Sequence, residues 1–169
     1  MLFRSIMDID RAQFRDAFIA DNATILGDVT IGRKVSIWYG AVIRADKDSV
    51  ALGDWSNVQD NAVLHTSAGH PVQVGREVSI GHGAILHGCT IRDRVLVGMG
   101  AIVLNGACVG EDCLLGAGTV VTEGRDIPPG SVVVGVPGKV VKTVTEEQKD
   151  HITRNAANYW ELAGRYMHG

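Results

Sequence analysis

Aliphatic residues fall on every sixth position along most of this 169-residue chain. They run Ile19, Ile25, Ile31, Ile37 and Ile43, then Leu52, Val58 and Leu64, then Val74, Ile80 and Leu86. After one five-residue step the series resumes at Ile91, Val97, Val103, Val109, Leu115 and Val121. Four residues after most of them sits a second small residue, such as Ala23, Val35, Ala41, Ala62, Ala84, Ala101 or Thr119. A period of six is incompatible with a 3.6-residue helical face. It marks a repeat architecture, in which each unit buries its apolar side only by stacking on the next.

The period predicts a mainly β fold, a single-stranded parallel β-helix. Short strands are joined by tight turns, and each coil lies about 4.8 Å above the last with backbone groups paired between coils. Composition agrees. Hydrophobic residues make up 46% of the chain but aromatics only 5%, which suits a thin prism filled by small aliphatics. The 21 glycines are expected to supply positive φ at the corners. The whole chain, 1–169, reads as one domain, with the β-helix over about 19–141.

Beyond Val121 the pattern loosens into Pro128-Pro129-Gly130 and Val136-Pro137-Gly138-Lys139, turn chemistry that leaves the prism. Thr145-Glu146-Glu147-Gln148 fits a capping box. It predicts a C-terminal α-helix over about 145–167, whose apolar face carries Ile152, Ala156, Tyr159, Ala163 and Tyr166. That face is expected to pack along the prism or against a neighbouring subunit.

Several function classes are excluded by bulk properties. A formal net charge of -3 gives no basic stripe for nucleic acid or an anionic membrane. No apolar run approaches the ~20 residues needed to span a bilayer. The opening MLFRSIMDIDR has no uninterrupted apolar stretch of the kind a secretory signal needs. Cys89, Cys108 and Cys113 are an odd number without paired spacing, and read as reduced residues of a cytoplasmic protein.

The repeat resembles the hexapeptide-repeat superfamily, which implies a left-handed β-helix with triangular coils of three hexapeptides. Three sixes make 18 residues, so each departure from six becomes a measurement. Ile43 to Leu52 is nine residues, an insertion of three, and Leu64 to Val74 is ten, an insertion of four. Both insertions follow the same face, and loops interrupting a regular scaffold are where function concentrates.

With the insertions subtracted, three polar residues align. His65 follows Leu64 and His87 follows Leu86; they are 22 residues apart, one coil plus the four-residue insertion. Arg44 follows Ile43 and precedes His65 by 21, one coil plus the three-residue insertion. Arg44, His65 and His87 therefore form a column on one face, about one strand spacing apart. His82 lies two residues after Ile80, on the preceding face, stacked over Asp60 with Gln59 beside it. A ligand one face away reaches the pair when two prisms pack side by side and the neighbour supplies His82. A closed homotrimer makes three such sites. Three imidazoles with an open fourth position is the pattern of catalytic zinc, and Co²⁺ or Fe²⁺ suits it as well. On spacing alone, a metal site and solvated surface histidines stand as equal readings.

Arg44-Ala45-Asp46, Asn57-Val58-Gln59-Asp60, His65, Ile80-Gly81-His82 and Leu86-His87-Gly88-Cys89 together resemble the γ-class carbonic anhydrase family, from about Asn22 to the C-terminal helix. The resemblance implies that His65 and His87 bind a metal from one subunit and His82 from the next. It implies that Gln59 hydrogen-bonds the metal-bound water or hydroxide and that Asn57 orients the substrate. Arg44, Asp46 and Asp60 become interface contacts, and Tyr159 approaches the site from the helix. Zn²⁺ on three neutral imidazoles brings bound water to a pKa of about 7, and the expected reaction converts CO₂ to bicarbonate.

Some residues depart from the best-characterised members. Lys47 stands where those carry an acidic residue, Ala45 replaces a glycine, and Thr66-Ser67-Ala68-Gly69-His70 replaces a long acidic loop. The departures point to an anhydrase of low activity, with loop-borne His70 as the candidate proton shuttle. Other expectations compete. A hexapeptide acyltransferase fits the Val136-Pro137-Gly138-Lys139 segment, although a turn ending the prism explains it as well. A metal-assisted acyl-CoA thioesterase would use the same histidines, and a non-catalytic trimeric metal-binding or assembly protein would use the scaffold alone.

Overall fold

A computed structural model describes residues 14–167 of the chain. The opening segment read above for a secretory signal lies outside the described residues. The strands are β1 (Phe18–Ile19), β2 (Thr24–Ile31), β3 (Ser36–Ile37), β4 (Val42–Leu52), β5 (Asn57–Val58) and β6 (Val63–His65). They continue as β7 (Val72–Val74), β8 (Ser79–Ile80), β9 (Ile85–His87), β10 (Thr90–Ile91), β11 (Leu96–Val97) and β12 (Ile102–Val103). The last are β13 (Cys108–Val109), β14 (Leu114–Leu115), β15 (Val120–Val121), β16 (Asp126–Ile127), β17 (Ser131–Val134) and β18 (Lys139–Thr143), followed by helix α1 (Glu146–Met167).

The six-residue period becomes three parallel faces. On the first, Ile19 pairs with Ile37, Ile37 with Val58, Val58 with Ile80, Ile80 with Val97, Val97 with Leu115 and Leu115 with Val133. On the second, Ile25, Ile43, Leu64, Leu86, Val103 and Val121 stack in register. The third stacks Ile31, Leu52, Val74, Ile91, Val109 and Ile127. These residues point into one core with Ala41, Ala62, Ala84 and Ala101, and among the described residues no aromatic side chain enters it. Because the insertion after Ile43 stays extended, β4 runs unbroken from the second face onto the third and joins them into one sheet.

Glycine supplies positive φ at corners such as Gly40, Gly83, Gly100 and Gly118, as expected, and does a second job as well. Positive φ falls three residues after the inward aliphatic, and at one corner the occupants are Lys34, Trp55, Glu77, Arg94 and Asp112 rather than glycine. The glycines directly after the aliphatics serve close approach. A Cβ on Gly53 would lie 2.5 Å from the Gly75 carbonyl carbon of the next coil, nearer than any side chain tolerates. The corner column of charged residues adds its own pairing: Arg94 meets Asp112 at 2.7 Å, and the Lys34 ammonium lies 4.1 Å from the Trp55 ring centroid.

Parallel stacking ends at β17, where β18 returns antiparallel, so Val136-Pro137-Gly138 is the turn of a hairpin. The capping box then forms as read. The Thr145 N–H donates to Gln148 Oε1 at 3.0 Å, and the Gln148 N–H donates to Thr145 Oγ1 at 3.2 Å. Helix α1 lies along the first face of its own prism, touching β1, β3, β5 and β8. Ile152, Ala156 and Ala163 are buried there. Aromatics excluded from the prism gather under this helix, where Phe18 and Trp38 have ring centroids 5.0 Å apart and Tyr159 meets Trp38 edge-on at 5.6 Å. Among the described residues no helix is long and apolar enough to cross a membrane.

Candidate metal centre

The column expected on the second face is present. Arg44 on β4 pairs with His65 on β6, and His65 with His87 on β9. The inward neighbours Ile43, Leu64 and Leu86 are fully buried. Alternation along each strand therefore turns the three polar side chains outward.

The two imidazoles form one hydrogen-bonded group. His65 Nδ1 lies 2.9 Å from His87 Nε2. On the far side of each ring an acceptor holds the other nitrogen: Asp46 Oδ1 is 3.1 Å from His65 Nε2, and Asn105 Oδ1 is 2.7 Å from His87 Nδ1. Arg44 also binds Asp46 through its guanidinium. Burial works against the Asp46 charge, but the Arg44 and His65 hydrogen bonds outweigh it and hold the carboxyl below its ordinary range.

A neutral imidazole carries one N–H. With the outer nitrogens donating to Asp46 and Asn105, the inner nitrogens present lone pairs to each other at 2.9 Å. Such an arrangement calls for a positive charge between them, a proton or a metal cation. Two tetrahedral zinc ligands lie ~3.3 Å apart, from Zn–N distances of about 2.05 Å. The donor set therefore fits a divalent metal, and outer nitrogens fixed by carboxylate or amide are the usual support for metal-binding histidines.

His82 sits elsewhere. It occupies the corner after β8, with Nδ1 2.9 Å from Asp60 Oδ2 as the register predicts. Its Nε2 lies 3.4 Å from the Tyr159 hydroxyl of α1. Burial, with the Asp60 charge adding to it, raises the Tyr159 hydroxyl pKa. Among the described residues no hydrogen bond or ion pair joins His82 to His65 or His87, and no three His, Cys, Asp or Glu side chains form a metal-holding group. His82 remains half exposed, at 46% of its side chain.

Gln59 and Asn57 lie beneath α1 at the first face, and both are buried. Gln59 Nε2 donates to Asn57 Oδ1 at 3.0 Å, Asn57 Nδ2 donates to Ser79 Oγ at 2.9 Å, and Asn155 Nδ2 from the helix donates to the same hydroxyl at 2.9 Å. The Asn57 side chain is thus hydrogen-bonded between Gln59 and Ser79. His70 is exposed in the inserted loop, which a Ser67–His70 bridge closes; Lys47 is exposed in the other insertion.

Asn105, Ser67, Ser79 and Asn155 escaped the sequence reading. Asn105 had a signal, because the five-residue step makes this coil 17 residues long and sets Asn105 beside Gly88, the residue after His87. Asn155 had none, since only packing brings the helix to Ser79.

Comparison with known proteins fits this geometry. A hexapeptide-repeat family model, "Bacterial transferase hexapeptide (six repeats)", matches residues 14–45 and 88–123. A Methanocaldococcus jannaschii protein named "Probable carbonic anhydrase" is 54% identical over 145 residues, covering 86% of this chain and 91% of that protein. The chain belongs to the γ-class carbonic anhydrase family. An Arabidopsis thaliana member, "Gamma carbonic anhydrase 1, mitochondrial", is 40% identical over 169 residues; these cover 95% of this chain and 62% of that longer protein. A solved structure of a hexapeptide transferase family protein from Anaplasma phagocytophilum superposes with a TM-score of 0.87 at 42% identity, covering 90% of each chain. Membership of the γ-class carbonic anhydrase family makes the prism a left-handed one.

Proposed function

We propose that this protein is a metal-dependent carbonic anhydrase that hydrates CO₂ to bicarbonate, at sites shared between the subunits of a homotrimer. The observation carrying the proposal is the His65–His87 pair, whose inner nitrogens converge at 2.9 Å while Asp46 and Asn105 hold the outer ones. His82 of a neighbouring subunit completes the donor set. Its partial exposure at a corner supports that role, as does its fixation by Asp60 and Tyr159.

Zn²⁺ fits three neutral imidazoles, and Fe²⁺ and Co²⁺ fit the same set. When bound, such a cation supplies Lewis acidity that acidifies water near neutral pH. The chain's residues do the rest. The Gln59 amide N–H is committed to Asn57, which leaves its carbonyl oxygen to accept a hydrogen bond from the attacking water and aim its lone pair at carbon. The Asn57–Ser79–Asn155 chain keeps that amide from rotating. Arg44 neutralises Asp46 at the rim, so an anionic product leaves without facing an unpaired carboxylate. Hydration of CO₂ releases one proton for each bicarbonate, and exposed His70 is its carrier to solvent. Unpaired Cys89, Cys108 and Cys113 support a reducing compartment, the cytoplasm.

The relative described as a hexapeptide transferase shares the prism. An acyl-CoA-dependent transferase would use one imidazole as a base and hold no metal at the pair. Metal analysis of anaerobically purified protein, followed by stopped-flow CO₂ hydration, tests the proposal. Bound divalent metal with CO₂ turnover supports it. A metal-free protein, or a metal-replete one that hydrolyses acyl-CoA thioesters but does not hydrate CO₂, would refute it.

A further inference from the structure

We infer that Asn105 is a positioning residue that fixes which nitrogen of His87 faces the metal, and that the four-residue insertion exists in part to hold Asn105. The inference rests on the metal centre proposed above.

An amide can point either its oxygen or its nitrogen at an imidazole. Here Asn105 Oδ1 faces His87 Nδ1 at 2.7 Å, while Asn105 Nδ2 donates to Ser67 Oγ at 3.4 Å on its other side. An oxygen can only accept, so the imidazole N–H sits on Nδ1. The lone pair then sits on Nε2, the atom facing His65. Reversing the tautomer would aim an N–H at the cation and remove the ligand.

The surroundings are arranged around that amide. Gly88 follows His87 with φ +58, and a Cβ there would lie 2.3 Å from Asn105 Oδ1. A side chain at this corner would displace the oxygen. Ser67 is held in turn. The Ser67 N–H donates to the His70 carbonyl at 3.3 Å and the His70 N–H to the Ser67 carbonyl at 2.8 Å. The neighbouring Thr66 hydroxyl accepts the Asp48 N–H at 3.0 Å, and Asp48 Oδ2 accepts the Gly69 N–H at 3.1 Å. The two insertions thus brace each other, and through Ser67 they anchor the amide that faces His87.

The test compares wild type with Asn105→Leu, which keeps the volume without an acceptor, and Asn105→Asp, which keeps the acceptor. Two-bond ¹H–¹⁵N spectra of the metal-free proteins report the His87 tautomer, and Co²⁺ titration followed by its visible absorption reports affinity. The expected result is an Nδ1–H His87 in wild type and Asn105→Asp, lost in Asn105→Leu. Co²⁺ affinity should fall ~10–100-fold in Asn105→Leu and recover in Asn105→Asp, with thermal midpoints of the metal-free proteins alike. An Asn105→Leu protein that keeps the Nδ1–H tautomer, or binds Co²⁺ as wild type does, would overturn the inference. Should wild type bind no Co²⁺, the metal centre fails, and the tautomer spectra alone decide the role of Asn105.

Discussion

His65 and His87 sit on successive coils with Nδ1 of one 2.9 Å from Nε2 of the other, in the same register that stacks Leu64 on Leu86. The 22 residues from His65 to His87 are one 18-residue coil plus the four-residue loop, so the loop is extruded from the prism and leaves the pairing of the two residues intact. The regular repeat builds a wall and stacks the two imidazoles on it, and the interruption places a loop beside them.

His82 is a corner residue that touches only Asp60 and Tyr159 among these groups. Replacing it should remove a metal ligand without disturbing the prism. His82→Ala is expected to purify as a trimer with most of its metal lost, measured by elemental analysis beside size-exclusion chromatography with light scattering. A metal-replete His82→Ala trimer would rule out a ligand from this position.

Leu64 is fully buried directly before His65, so Leu64→Ala leaves a cavity in the coil that presents the ligand. A loss of about 2–5 kcal/mol is expected, read from urea denaturation of the metal-free protein.

The two roles of glycine predict opposite tolerances. Gly53→Ala forces a Cβ to 2.5 Å from the next coil's backbone and should cost about 2 kcal/mol or more. Gly118 has φ +68 with nothing within 4 Å of a Cβ, and Asn61 occupies the equivalent corner at φ 58. Gly118→Asn should therefore cost less than about 1 kcal/mol. Thermal midpoints of the two variants check the contrast.

Asp54 gives a pH signature away from the centre. The Arg33 backbone N–H donates to its carboxylate at 2.9 Å, and this bond, against burial and with help from the Arg33 and Arg76 side chains, holds the Asp54 carboxyl below its ordinary 3.8. A depressed carboxyl stabilises the fold above its unfolded pKa and loses that contribution as pH falls through the folded one. Wild type should exceed Asp54→Asn by ~0.5–1 kcal/mol near pH 6, with the gap closing below pH ~4. Thermal midpoints across pH 2.5–7 measure it, and a gap that widens in acid would contradict the assignment.

Cys89 is buried, and its thiol is pushed up to about 12 by that burial. It should resist iodoacetamide at pH 8 in the folded protein and react after denaturation, as peptide mass spectrometry would show.

Much of this was legible because period six is a strict ruler. The pairing of Ile43 with Leu64 and Leu86, and of Asp60 with His82, follows from counting residues once 18 make a coil. The course of α1 was half legible: its capping box and apolar face were readable, but which surface it covers depends on the fit of Ala163 and Tyr159 against Trp38. The corners were legible in part: Gly40, Gly83, Gly100, Gly106, Gly118 and Gly124 take positive φ as expected, whereas at one corner Lys34, Trp55, Glu77, Arg94 and Asp112 do so. Stacking between coils holds them in that conformation, a tertiary effect without local sequence signature. Gln59 and Asn57 were readable as residues, yet their burial under α1 was not.

The shared site is tested most directly by mixing defective subunits. His65→Ala and His82→Ala chains carrying different affinity tags would be co-expressed, and trimers bearing both tags isolated anaerobically for metal analysis. A site built between subunits predicts that each mixed trimer regains one intact interface, where His87 and His65 of one chain meet His82 of the other, and binds a single metal while both parent trimers bind none. Mixed trimers as metal-free as their parents would contradict the account.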